Sequence, residues 1–236
     1  MWRGAARVAV CNADWLLLAA LSTTAGAVDA IGFLALGGLF TAHITGNLVV
    51  LTAHYVTGRF AQIGPMLSVP VFIAVVGALS IVFVSKTTRT NRRLLLILHL
   101  VFLVGFLGFG AALGPFTEPD RAIAVFVGML GVAAMATQNS LVKLALPGSP
   151  STAVMTTNTT QLAINLALLF GRGRSPDARP KAWRQVRLTL PSVAGFVVGC
   201  GSGGFLEVHF GLWALLLPVV LAVIAIPLGE AWNDNI

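Results

Sequence analysis

Charge is what this chain lacks. Only 10% of its 236 residues are charged, and Asp and Glu together number eight. Soluble domains carry about 25% charged residues, so a water-soluble globular fold is excluded. Cysteine is nearly missing as well. Cys11 and Cys200 lie in different segments and match no metal or redox spacing, so they read as small packing residues. Histidines are few and scattered. His54 and His99 have no partner at ligand spacing, which argues against a metal centre. Ser-His-Asp sets, an HExxH helix and paired acids are all wanting, so neither enzymatic activity nor a cofactor is expected.

What the chain has is apolar length. Hydrophobic residues make up 57% of it, mean hydropathy is +0.89, and apolar runs recur to the C-terminus. That pattern defines an all-α polytopic membrane protein, and a lone signal peptide does not explain it. The net charge of +7 invites a nucleic-acid reading. The basic residues occupy short gaps between apolar runs, however, where cytoplasmic loops of membrane proteins concentrate Lys and Arg. Nucleic acid is therefore not an expected partner. The lipid bilayer is, together with a small solute or ion, and self-association stays open.

In chain order the runs are 15–37, 41–58, 65–85, 94–114, 122–146, 153–170, 187–205 and 211–228. Lys86, Arg89, Arg92 and Arg93 form one basic loop, and Arg172, Arg174, Arg179, Lys181, Arg184 and Arg187 another. Glu118 and Asp120 mark an acidic loop between the halves, and Glu207 with His209 fall in a short loop near the end. Residues 41–58 and 153–170 are shorter and more polar than the others. They match each other at an offset of 111: Gly37 with Gly148, Thr41 with Thr152, Ala42 with Ala153, Thr45 with Thr156, Asn47 with Asn158. The chain thus reads as one membrane domain, residues 1–236, built from a repeat over about 14–114 and another over about 121–229.

Two topologies compete. If every run crosses, there are eight spans in a parallel 4+4 arrangement. If the two polar segments dip in and return, six spans remain, three per half, and the second half is inverted. The six-span arrangement puts 13 of the 15 Lys and Arg on the cytoplasmic side, leaving Arg59 and Arg121 outside; eight spans put 10 there. The positive-inside rule favours six spans with two re-entrant segments and both termini in the cytoplasm. Irregular backbone at membrane depth is tolerated where protein buries it or where it lines a cavity, as in transporters with inverted repeats.

Candidate site residues follow from that plan. Asp29 falls deep in the first span, where a carboxylate is costly unless paired or solvated and marks a proton or cation site by default. Asn139, beside Gln138, is its expected counterpart in the second half. His43, Thr45 and Asn47 from the first turn, with Thr156 and Asn158 from the second, are expected to hold an uncharged or anionic group at the start of a half-helix. The plainer alternative is capping and interhelical hydrogen bonding by the same residues, without a solute.

Two motif matches fail on context. Gly199–Gly204 satisfies GxGxxG but lies in an apolar span, not after a strand. Its glycines belong instead to the stripe Gly195, Gly199 and Gly203, a surface that lets helix backbones approach closely. Asn158-Thr159-Thr160 is a glycosylation sequon placed at or within the membrane.

The stretch VDAIGFLALGGLFTAHITGN at residues 28–47, with Gln138-Asn139 and STAVMTTNTTQLA at 151–163, resembles the signature of the YoaK family. Its members are bacterial six-span membrane proteins of unknown function. The family's second motif commonly reads like VTGTLT, where this chain has Met155 to Thr160 without the glycine. The resemblance implies a six-span fold in the bacterial cytoplasmic membrane and implies no substrate. The functional expectation is a small-solute or ion transporter or channel, with a non-transporting scaffold or partner subunit as the alternative.

Overall fold

A computed structural model describes residues 2–58, 63–83, 89–170 and 178–232, with side chains from residue 13 onward and, after the 171–177 gap, from Arg179. Cys11, Arg3, Arg7, Arg59, Lys86, Arg172 and Arg174 lie outside the described side chains. Among the described residues the secondary structure is entirely helical. The helices are α1 (Trp2–Ala35), α2 (Ile44–Val56), α3 (Ile63–Phe83), α4 (Arg89–Leu113), α5 (Ala122–Ala145), α6 (Met155–Phe170), α7 (Ala178–Phe210) and α8 (Leu216–Glu230). A 3₁₀ turn, Gly211–Leu215, joins the last two.

Lipid offers no hydrogen bonds, so long apolar runs satisfy their backbone as helices. Among the described residues five stretches are long and apolar enough to cross a membrane: Ala13–Ala35, Ile63–Phe83, Arg89–Leu113, Ala122–Ala145 and Arg179–Glu230. The last holds 52 residues and is broken by the 3₁₀ turn, where Gly211 takes φ +57°. By contrast α2 has 13 residues and α6 has 16. At 1.5 Å per residue they reach about 20 and 24 Å, short of a hydrocarbon core of about 30 Å.

The ends of the helices sort into two groups. At one end Gly37 follows α1 and abuts Pro119 ahead of α5, while Asp120 Oδ1 accepts the N–H of Ile63, first residue of α3, at 2.8 Å. The 3₁₀ turn lies there too, with Leu212 against Gly110 and Gly114 at the close of α4. At the other end buried Arg92 of α4 donates from Nε to the carbonyl of Ala145 at 3.1 Å and from Nη1 to that of Gly229 at 3.0 Å. One guanidinium thereby caps the C-termini of α5 and α8, where helices leave unpaired carbonyls and a negative dipole end. Two apolar clusters fill the bundle between these ends. One is built around Leu36, Leu39, Leu103, Phe106 and Leu212, the other around Leu17, Leu21, Leu96, Leu141 and Leu188.

The directions follow from the contacts. Gly195, Gly199 and Gly203 of α7 meet Ala19, Thr23 and Ala27 of α1 in the same order, so these helices run parallel. A Cβ on Gly199 would lie 2.1 Å from the Thr23 carbonyl oxygen, so the backbones touch. The small-residue stripe read from the sequence is therefore an internal seam. Leu36 meets Gly128 of α5, whereas Leu21 meets Gln138, so α1 and α5 run antiparallel. Packing is also symmetric under exchange of the halves. α1 pairs with α7 and α8, α5 pairs with α3 and α4, α2 lies on α3, and α6 lies on α7.

Three expectations need correction. Arg89, Arg92 and Arg93 belong to α4 and Arg179 to Arg187 belong to α7, so neither basic cluster is simply a loop. Arg92 is 1% exposed, because two helix ends need its donors. Glu207 and His209 fall in the last turn of α7, not in a loop.

Candidate functional site

Asp29 is buried near the C-terminal end of α1, and the chain doubles back to meet it. Helix α1 closes with Gly37 and Gly38 at φ +64° and +89°, and the Gly38 N–H reaches the Phe33 carbonyl at 2.9 Å. This left-handed ending is natural to glycine and reverses the chain without a Cβ penalty. Residues 39–43 then run back beside α1. Gly128 and Gly131 of α5 leave room for them, since a Cβ at Gly131 would lie 3.0 Å from Thr41 Cγ2.

Asp29 Oδ1 accepts three hydrogen bonds, from Thr41 N–H at 2.8 Å, Thr41 Oγ1 at 3.1 Å and Ala42 N–H at 2.6 Å. Its other oxygen, Oδ2, lies 2.5 Å from His43 Nδ1. The free backbone donors ahead of a half-helix favour a negative group. Here the protein's own carboxylate takes that place, so the anion site expected for a solute is filled from within.

Helix α2 begins one residue after His43. Asn47, one turn in and fully buried, clamps the Phe40 peptide on both sides. Its Oδ1 accepts the Phe40 N–H at 2.8 Å, and Nδ2 donates to the Phe40 carbonyl and to Ser68 Oγ of α3, both at 2.7 Å. Asn47 therefore positions the turn, with its amide bonded to Phe40 and Ser68. Thr45 points outward and is exposed.

The second half repeats the construction in altered chemistry. Gly148 takes φ +78°, and buried Thr152 meets Gln138 Nε2 at 2.9 Å, an amide that also donates to the Leu21 carbonyl at 2.9 Å. Asn158 Nδ2 donates to the Ser151 carbonyl at 2.5 Å, as Asn47 does to Phe40. The counterpart of Asp29 is thus Gln138, not Asn139. Asn139 Nδ2 instead bonds the Met135 carbonyl within its own helix at 2.9 Å. Thr156 and Thr157 are both exposed, and Thr157 borders the second cavity.

Two cavities adjoin the turns. The first, about 470 Å³, is walled by Phe33, Leu34, Phe40 and Phe196, with Asp29, His43 and Cys200 at its polar corner. His43 is held edge-on to Phe196 at 5.3 Å between ring centroids and to Phe40 at 6.2 Å. The second, about 370 Å³, is polar: Asn139, Lys143, Thr157, Asn158, Gln161 and Gln185 line it. The two share no lining residue. Of the seven residues expected to form one site, Asp29 and His43 meet at the first cavity and Asn139 and Asn158 at the second. Thr41, Gln138 and the aromatic wall were not among them. Thr41 and Thr152 carried a signal in the repeat, while Phe196 comes from a distant helix and left none.

These features define a class: multi-pass helical membrane proteins. Residues 17–228 match the family described as protein of unknown function (DUF1275), and the chain belongs to that family. It is 28% identical over 214 residues to the UPF0700 transmembrane protein YoaK of Bacillus subtilis (strain 168), covering 87% of this chain and 89% of that protein. No solved structure matches it.

Proposed function

We propose that the protein is a small-solute or ion transporter of the bacterial cytoplasmic membrane, built from two inverted three-span halves. On this reading α1, α3, α4, α5, α7 and α8 cross the bilayer, and α2 and α6 are re-entrant half-helices. The antiparallel course of α1 and α5 and the exchange-symmetric packing support the inversion. The Arg-rich end faces the cytoplasm, with both termini there.

The observation that carries the transport reading is Asp29 buried at membrane depth and bonded to a histidine that borders a cavity. Holding the inbound turn requires one carboxylate oxygen; the other orients a titratable ring toward open space. Fixing one ring nitrogen on a carboxylate sets what the other nitrogen offers, the arrangement by which histidines relay protons. The protein reconstituted in liposomes should give a solute- or pH-dependent flux that Asp29→Asn changes. Identical fluxes for both over a broad panel of ions and small solutes would overturn the reading.

One observation favours the alternative, a non-transporting scaffold. Asp29 and Asn47 place their hydrogen bonds within the protein, and the two cavities do not join. A scaffold keeps both cavities unchanged under every condition. A transporter alternates access to them, so cysteine accessibility at Ala30 and at Gln161 should shift in opposite directions on adding solute.

A further inference from the structure

The two cavities hold corresponding places in the two halves, and their chemistry differs. Under the offset of 111 that relates the halves, Phe40, His43 and Gly46 at the first match Ser151, Val154 and Thr157 at the second. Helix α7 borders both. It meets the first with Phe196 and Cys200 and the second with Gln185 and Thr189, eleven residues earlier or about 16 Å along its axis. In the first half the protein's own carboxylate, Asp29, sits ahead of the half-helix. In the second half the neutral amide of Gln138 stands in its place, bonded to Thr152. We infer that the second cavity binds a small carboxylate with a polar body, such as a hydroxy acid, and that Lys143 supplies the opposite charge. This names the substrate class for the transport reading and rests on it.

Charge points this way. Lys143 is the one charged group among the described residues that line the cavity, and it makes no ion pair with a described residue. Thr157 and Asn158 belong to the first turn of α6, where unpaired N–H groups and the positive dipole end favour an anion. Lys143 lies two residues before Ala145, whose carbonyl Arg92 caps, so the cavity sits toward the Arg-rich, cytoplasmic end.

Hydrogen bonding agrees. Thr189 lines the cavity at 1% exposure, and its hydroxyl has no partner among the described residues. A buried hydroxyl left unpaired is costly, and a ligand oxygen satisfies it. Thr157, Gln161 and Gln185 stand exposed at the open side, and their side chains too make no hydrogen bond with a described residue. At the first cavity, by contrast, Asp29 is bonded four times within the protein. A cation would meet Lys143 with no acid in the lining to offset it. An apolar body would leave Thr189 unpaired. The volume of about 370 Å³ falls within the range of small-molecule sites, about 300–1,000 Å³.

The test is binding of lactate, malate and gluconate to the full chain in phosphatidylcholine nanodiscs, measured against empty discs. Glycerol and glucose serve as uncharged counterparts. At least one carboxylate should bind saturably and about tenfold tighter than either polyol, the scale of one charge-assisted hydrogen bond. Lys143→Gln should remove that margin, and Lys143→Arg should keep it. Thr189→Val, which deletes the hydroxyl at nearly constant shape, should weaken the carboxylate about threefold. Thr157→Phe, which fills the cavity from an exposed position, should abolish binding. Failure of every carboxylate to bind, or binding that Lys143→Gln leaves intact, would overturn the inference. So would loss of binding when phosphatidylglycerol joins the discs, because Lys143 would then serve a lipid phosphate. Carboxylate binding as expected, with no flux of any solute in liposomes, upholds this site and refutes transport. Flux of another solute that Thr157→Phe leaves intact, without carboxylate binding, refutes this site while transport stands.

Discussion

Replacing Asp29 with alanine strips the acceptor from two backbone N–H groups, one hydroxyl and the His43 ring at once. Each buried polar group left unpaired costs about 1–3 kcal/mol. The buried Thr41 and Ala42 N–H groups together make the loss about 2–6 kcal/mol. A whole domain is stable by about 5–15 kcal/mol, so Asp29→Ala should approach collapse of the turn. Asp29→Asn keeps an acceptor at Oδ1 but loses charge assistance and sets an amide donor where Oδ2 met His43 Nδ1, so about 2 kcal/mol is expected. The predicted order of stability is wild type, Asp29→Asn, Asp29→Ala. Denaturant unfolding in mixed micelles measures it. Maleimide labelling of an Ala42→Cys reporter, with Cys11 and Cys200 changed to Ser, measures release of the turn. An Asp29→Ala protein of near wild-type stability whose reporter stays unlabelled would refute the assignment of Asp29 as the anchor.

Other expectations follow from the packing. Gly199→Ala should destabilise by about 1–3 kcal/mol or more, because its Cβ meets the Thr23 carbonyl; Gly201→Ala, with open space around it, should be silent in the same unfolding assay. Arg92→Gln should lower thermal stability and expose both helix ends it caps, with faster amide exchange in the last turns of α5 and α8. Asn47→Ala should weaken the first turn more than Asn158→Ala weakens the second, because Asn47 alone holds both groups of its partner peptide and reaches Ser68; pulse proteolysis of each turn would measure the difference. Charge labelling should find residues 84–88 and 171–177 on one face; opposite faces would refute the inverted arrangement.

Helical class, membrane location and the two polar turns were legible because they rest on composition and on a repeat of Gly, Thr and Asn. The conformational glycines Gly37 and Gly148 fell at matching places in the repeat and both take positive φ. The Asp29–His43 pair was harder to read. Fourteen residues of unbroken helix would hold them about 21 Å apart, and only a reversing chain brings them together. Asn139 was expected where Gln138 stands. The repeat offset of 111 carries Asp29 to Ser140, and the link from amide to Thr152 spans 14 residues where the acid-to-Thr41 link spans 12, so no single offset finds the partner. Arg92 was read as a loop charge because positive-inside statistics weigh charge near a span and carry no information on helix ends needing donors. The aromatic wall of the first cavity depends on Phe196, and contacts across so long a stretch of chain leave no local pattern.

The parallel seam between α1 and α7 also dictates an order of events during synthesis. Asp29 finds Thr41, Ala42 and His43 within its own neighbourhood, so the acid is sheltered as soon as the first turn emerges. Ala19, Thr23 and Ala27 wait for Gly195, Gly199 and Gly203, which the ribosome delivers near the end. Through most of translation the groove on α1 faces lipid or a chaperone. α7 then closes on α1 and completes a contact between the halves that α5 has already begun on α3 and α4.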